Sequence, residues 1–395
     1  MQDTKAGTMP VALRRLLFGD VVSAAGIGLT QPYLVILLHS DKGIPLAAAT
    51  AMTALLALAS FPGNWLSGVL TDRHGGRLAM TAGLATTVCG LVLVAAGGHP
   101  LLLGCAVAAV GFGWAVTLPA YATLIAGLVP EEAHGRTFTL QFALFNAGMG
   151  AGSAAAVLVA DLPWLWWAAA GTCLVAIVAV RGSYTGGRRG TKTVPDAGYR
   201  ALLADRRLLR VLAVAVLTSA AGYGVYTAGL PVLAIHSGHP DLMSWASVAN
   251  CLTIVAGLPL ALHAGVRLTP PRLVAATAAV WSAAWLLCAT VTGPAWVVLP
   301  LAAVLMGAGE LLLSGALPAM VNALAPDALR GRYNAALTFA MTAGMWAGPL
   351  LAAAATALGL VWLLFAAAVA LLAAATVLVH RVQDGPAAAG QRGVD

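Results

Sequence analysis

Apolar residues in this chain neither alternate with polar ones nor confine themselves to one helical stripe. They continue for twenty or more positions at a time and are interrupted by short polar connections. Such runs lie near 11–38, 45–70, 78–97, 101–128, 136–160, 163–181, 208–236, 243–263, 272–292, 295–325, 333–357 and 360–380. A run of about 20 predominantly apolar residues crosses the hydrocarbon core as a helix, so the pattern predicts twelve transmembrane helices. Several exceed that minimum and are expected to tilt or project from the bilayer. A polar connector, residues 182–207, divides them six and six. The predicted fold class is all-α integral membrane protein, with a six-helix bundle over 1–181, a second over 208–383 and a polar tail over 384–395.

The two halves are related. Leu128, Pro130, Gly135 and Arg136 recur 196 positions later as Leu324, Pro326, Gly331 and Arg332, and Ala147, Gly148 and Met149 recur as Ala343, Gly344 and Met345. Upstream, Gly111 and Gly113 pair with Gly307 and Gly309 at the same offset. Duplicated halves made of apolar helices mark a transporter, with the site near the bilayer midplane between the repeats.

Composition excludes the soluble alternatives. The chain is 60% hydrophobic and 9% charged, with a mean hydropathy of +0.89, whereas soluble domains carry about 25% charged residues. The bases also set an orientation. With a cytoplasmic N-terminus, the outward connections hold Lys42 alone of the 21 Lys and Arg, which accounts for the net charge of +7 without a nucleic-acid partner. The expected location is the plasma (inner) membrane, multi-pass, with both termini cytoplasmic. The first apolar run is too long for a cleaved leader and is expected to be retained. Cys89, Cys105, Cys173, Cys251 and Cys288 fall inside spans without paired spacing and read as small packing residues. The connector's GGRRGTK run, 186–192, lacks the order of a phosphate loop and reads as a cytoplasmic linker. No metal-ligand spacing or cofactor motif is found, so neither is expected.

Between the second and third spans lies GVLTDRHGGR, in which Gly68, Asp72, Arg73, Gly75 and Arg77 match the cytoplasmic loop signature of the major facilitator superfamily. The chain resembles that family over essentially its whole length, and specifically its bacterial drug and metabolite efflux members. The resemblance implies two six-helix bundles around a central cavity lined by spans one, four, seven and ten. It also implies a conformational latch in which Asp72 meets the start of span eleven near Tyr333, with Arg136 a further partner. The physical logic is legible: Gly68 allows close helix approach, Gly75 a tight turn, and an acid flanked by bases bridges charges. A plain solvated turn that satisfies the positive-inside bias is the alternative. The sequence departs from the family pattern at Leu78, where a second base is common. It departs again after Gly148, Gly150 and Gly152, where Ser153 replaces the proline of the drug-antiporter run in span five; the equivalent place in span eleven keeps Gly344, Gly348 and Pro349.

Of 14 acidic residues, two lie well inside spans, Asp20 and Glu310. A charge at the centre of a span costs roughly 2.5–3.5 kcal/mol on insertion scales, so both are proton-coupling candidates. By the resemblance both stand on cavity helices. Glu310 follows Gly307 and Gly309, has Ser314 one turn on, and corresponds in the repeat to Trp114, giving a carboxylate in one half and an aromatic wall in the other. A purely structural hydrogen bond is the competing reading for Glu310, and an ion pair with Arg14 or Arg15 the competing one for Asp20. Gln31, Tyr33, Trp114, Tyr121, Asn146, Tyr223, Tyr226, Asn250 and Ser314 are candidate cavity residues, with Gln141 beside them. Trp164, Trp166 and Trp167 read as an interfacial aromatic belt.

The expected function is secondary active transport of a small lipophilic or weakly cationic organic molecule by alternating access, as proton-coupled efflux. Its expected partners are the substrate, protons and the lipid bilayer, and its working state a monomer. An uptake or facilitative carrier for a sugar, organic acid or peptide is the first alternative, and a non-transporting membrane sensor the second. An enzyme is not expected, since no nucleophile and base converge at one depth.

Overall fold

The structure, a computed structural model, describes residues 9–130, 134–158, 162–181, 202, 204–289, 295–326 and 330–383. The described part of the linker is confined to its last residues. Among the described residues the apolar runs form helices: α1 Val11–Thr30, α2 Leu46–His74, α3 Gly76–Ala96, α4 Pro100–Leu128, α5 His134–Val157, α6 Leu162–Arg181, α7 in two parts (Arg206–Ser219 and Val225–His236), α8 Leu242–Arg267, α9 Pro270–Ala289, α10 Ala295–Leu324, α11 Arg330–Ala357 and α12 Val361–Gln383. Among the described residues eleven helical runs are long and apolar enough to cross a membrane. α5 completes the expected twelve, its run being diluted by polar residues such as Arg136, Gln141 and Asn146.

The first compact unit comprises residues 1–31 and 58–193, and the second residues 32–57 and 194–395. Within the first, α1 packs on α5 and α6, and α3 on α4 and α6. Within the second, α7 packs on α11 and α12, and α9 on α10 and α12. The duplicated sequence therefore folds into duplicated helix pairings. Small residues make the crossings close: a Cβ at Gly28 or Gly152 would meet the backbone across the α1–α5 contact, and one at Gly224 or Gly348 the backbone across the α7–α11 contact. These glycines stand at the same offset of 196. In lipid, where burying apolar surface drives little, such van der Waals contact is what holds helices together.

Departures from ideal helix have local causes. Pro32 lacks the N–H that would bond to the Gly28 carbonyl, and α1 passes into a 3₁₀ turn at Gln31–Tyr33. Ser153 Oγ donates to that carbonyl at 3.0 Å, so the residue standing in place of the expected proline pins α5 to α1. Its counterpart in the repeat, Pro349, has no hydroxyl for the same bond. Between the two parts of α7, Ala220–Gly224 forms a π-helical turn, and the Ala221 carbonyl there accepts the Trp285 indole N–H at 2.7 Å. Asp205 caps α7 by accepting from the Arg207 and Leu208 amides at 2.9 and 3.1 Å.

Candidate functional site

Each unit holds one carboxylate within its apolar helices, and their surroundings differ. In the first unit Asp20 of α1 is buried at 7% exposure. Gln141 Nε2 on α5 donates to Asp20 Oδ2 at 2.8 Å. The Tyr121 hydroxyl on α4 reaches the Leu16 carbonyl at 3.5 Å and lies within hydrogen-bonding reach of the same carboxylate. Three helices thus converge on one acid. The ion pair expected as an alternative is not formed: among the described residues Asp20 pairs with no base, and Lys42 with Asp41 at 3.3 Å is the ion pair seen.

In the second unit Glu310 is partly buried midway along α10. Among the described residues its carboxylate has no hydrogen-bond or ion-pair partner. Tyr223 and Tyr226 of α7 and Cys251 of α8 lie within electrostatic reach. Tyr223 stands edge-on to Trp281 of α9, with ring centroids 5.6 Å apart and planes at 77°. The arrangement is an acid within electrostatic reach of two phenols, a chemistry suited to taking up a proton or a cation.

Duplicated helix pairings, with one carboxylate within the apolar helices of each unit, invite comparison with known transporters. The model of the Major Facilitator Superfamily matches residues 16–240 and again 212–394. The chain belongs to the major facilitator superfamily. It is 28% identical over 357 residues to the uncharacterized MFS-type transporter YttB of Bacillus subtilis (strain 168), covering 87% of each chain. Its fold is shared with the nucleoside transporter NupG (TM-score 0.79, 12% identity, 94% of this chain and 99% of that one). It is shared likewise with the POT family transporter PepTSo (TM-score 0.76, 14% identity, 96% and 99%). The chain is accordingly a multi-pass membrane transporter, not an enzyme, and its substrate is a small molecule.

The superfamily loop motif falls at the α2–α3 junction. Gly75 adopts φ 88°, a conformation that L side chains avoid. At Gly68 a Cβ would meet no described atom within 4 Å, and Arg73 and Arg77 are exposed. The Asp72 and Arg136 side chains lie outside the described residues. Tyr333, at the start of α11, donates its hydroxyl to Asp205 Oδ2 at 2.9 Å within its own unit.

The other candidates disperse. Tyr33 is buried and its hydroxyl accepts from Ser244 Oγ at 2.7 Å. Asn250 Nδ2 donates to the Ala303 carbonyl at 3.2 Å, tying α8 to α10, and Asn146 Nδ2 turns back to Phe142 in its own helix at 2.9 Å. Gln31 and Trp114 are partly buried, and exposed Ser314 donates to the Leu311 carbonyl at 2.9 Å. Trp166 leaves the expected aromatic belt: it is 2% exposed, while Trp164 and Trp167 remain outside at 63% and 43%. In a helix, Trp166 lies about 200° around the axis from Trp164, which turns it inward. Cys89 and Cys105 are exposed, so only Cys173, Cys251 and Cys288 serve as core packing. Sequence reading ranked Gln141 low and missed Trp281, whose indole looks like any other apolar filler until its neighbours are known.

Proposed function

We propose that this chain exports a small lipophilic or weakly cationic organic molecule by alternating access, driven by protons entering across the plasma membrane, with both termini cytoplasmic and the monomer as the working unit. The observation that carries this reading is the Glu310 carboxylate, which has no partner among the described residues and lies within electrostatic reach of Tyr223, Tyr226 and Cys251. A charge in an apolar helix is ordinarily offset by a fixed partner. A carboxylate without one can accept a proton and a cationic ligand in turn, and mutual exclusion between the two makes an exchanger. Aromatic rings near a carboxylate are a chemistry that holds a flat cation. Asp20, already held by Gln141 and Tyr121, serves as the second proton-binding group.

The test uses everted vesicles holding an imposed pH gradient, with ethidium and tetraphenylphosphonium as probes. The wild-type chain should dissipate the gradient on adding probe. Glu310→Gln should abolish gradient-driven extrusion while preserving probe exchange at equal pH, because exchange needs no net proton movement. Uphill transport by Glu310→Gln with unchanged pH dependence would remove the basis of the proposal. Gradient-driven accumulation of a nucleoside, sugar or peptide, with no response to either cation, would assign the chain to uptake instead.

A further inference from the structure

On α9, Thr277, Trp281 and Trp285 recur at four-residue spacing and share one face. All three are fully buried, at 0% exposure. Each reaches a main-chain carbonyl of another helix: Thr277 Oγ1, whose single proton is shared with the Leu273 carbonyl of its own helix at 3.0 Å, lies 3.1 Å from that of Gly309, and the indole N–H groups of Trp281 and Trp285 donate to Met306 at 2.8 Å and Ala221 at 2.7 Å. Two of these acceptors lie just before Glu310 on α10. Gly309 precedes it, and Met306 is the residue whose carbonyl receives the Glu310 amide in a regular α-helix. The third acceptor lies in the π-helical turn of α7, which also carries Tyr223.

Trp281 is wedged between the two helices. A Cβ on Gly309 of α10 would overlap its five-membered ring, and a Cβ on Gly222 of α7 its six-membered ring. The equivalent positions of the first unit differ: the repeat places Ala85 opposite Trp281 and Trp114 opposite Glu310, and α1 is regular α-helix over the residues equivalent to the π turn. Carboxylate, indole wedge and π turn therefore occur together in the second unit. The Ser219 hydroxyl, next to that turn, is buried and has no hydrogen-bond partner among the described residues. A different register of the turn would offer it different carbonyls.

We propose that Trp281, anchored by Trp285, is a positioning residue that couples Glu310 to α7, so that the charge on the carboxyl sets whether Ala220–Gly224 is π-helical or α-helical. Changing the register by one residue rotates one part of α7 against the other by about 100°, so Tyr223 and Tyr226 cannot both keep their places near Glu310. A π turn, with one residue more than the α-helical ladder accommodates, is an element with two discrete arrangements. The proposal rests on the reading that Glu310 changes charge during transport.

Hydrogen exchange of the purified full chain, read on peptides covering residues 216–228, tests it with four proteins: wild type, Glu310→Gln, Trp281→Phe and the double variant. Phenylalanine keeps a ring against Tyr223 but has no N–H for Met306. Glu310→Gln should change exchange of the turn at least fivefold in the wild-type background and less than twofold in the Trp281→Phe background. A packing role alone would shift exchange by the same factor whatever occupies position 310. Equal effects of Glu310→Gln in both backgrounds, or no effect in the wild type, would overturn the coupling. The transport assay on Glu310→Gln reports separately on the proton reading, so loss of driven transport with an unchanged turn refutes the coupling alone. Should Trp281→Phe not accumulate, Trp285→Phe, which removes the donor to Ala221, replaces it with the same expectation.

Discussion

Gln141→Leu replaces, at nearly constant volume, the amide that donates to Asp20 Oδ2 at 2.8 Å. Asp20 is buried, with 7% of the residue exposed, so water does not readily take the lost donor's place. A hydrogen bond to a charged group contributes about 1.5–3 kcal/mol net, and one between neutral groups about 1 kcal/mol. The Tyr121 hydroxyl stays within reach of the carboxylate and limits the damage, which places the expected cost of Gln141→Leu near 2 kcal/mol when Asp20 is ionised. In an Asp20→Asn background the same substitution removes only a neutral contact and should cost about 1 kcal/mol or less. The difference, a coupling of about 1–2 kcal/mol, is what a double-mutant cycle isolates. Reversible unfolding of the four proteins by dodecyl sulfate in mixed micelles at pH 8 measures it. A cost below about 0.5 kcal/mol, or the same cost in both backgrounds, would refute the argument that Gln141 holds a charged Asp20 between α1 and α5.

Gly152→Ala should destabilise by about 1–3 kcal/mol, because its Cβ would overlap the Ala25 carbonyl across the α1–α5 contact. Gly171→Ala, whose Cβ meets no described atom within 4 Å, should be neutral or stabilising by up to about 1 kcal/mol in the same assay. For topology, Lys42→Cys in a cysteine-free background should react with an impermeant thiol reagent on intact cells, and Arg189→Cys only after permeabilisation; the reverse result would invert the orientation. Asp72→Asn should leave insertion intact but slow transport and shift accessibility toward the cytoplasm by about 1 kcal/mol of conformational bias. Unchanged rates and accessibility would reduce the loop motif to a topological signal.

The twelve helices were legible in the chain itself, because a backbone in lipid must satisfy its own hydrogen bonds and a long apolar run has no other way across. The duplication was legible too, with Gly148 and Gly344 at matching places, while the close crossings at Gly28, Gly152, Gly224 and Gly348 became visible only in the structure. Acids within apolar runs likewise announce themselves through their cost, which singled out Asp20 and Glu310. Their surroundings could not be read that way. Gln141 lies 121 positions from Asp20 and Met306 lies 25 from Trp281, and nothing local distinguishes an amide that holds a carboxylate from one that bonds its own helix, as Asn146 does. The same holds for Trp166, buried among helices while its neighbours Trp164 and Trp167 stay outside. Hydropathy records how much a side chain prefers to leave water, which decides that a segment spans. Direction around the helix axis, and the identity of whatever waits there, is set by which helices pack together, and only the tertiary structure decides that.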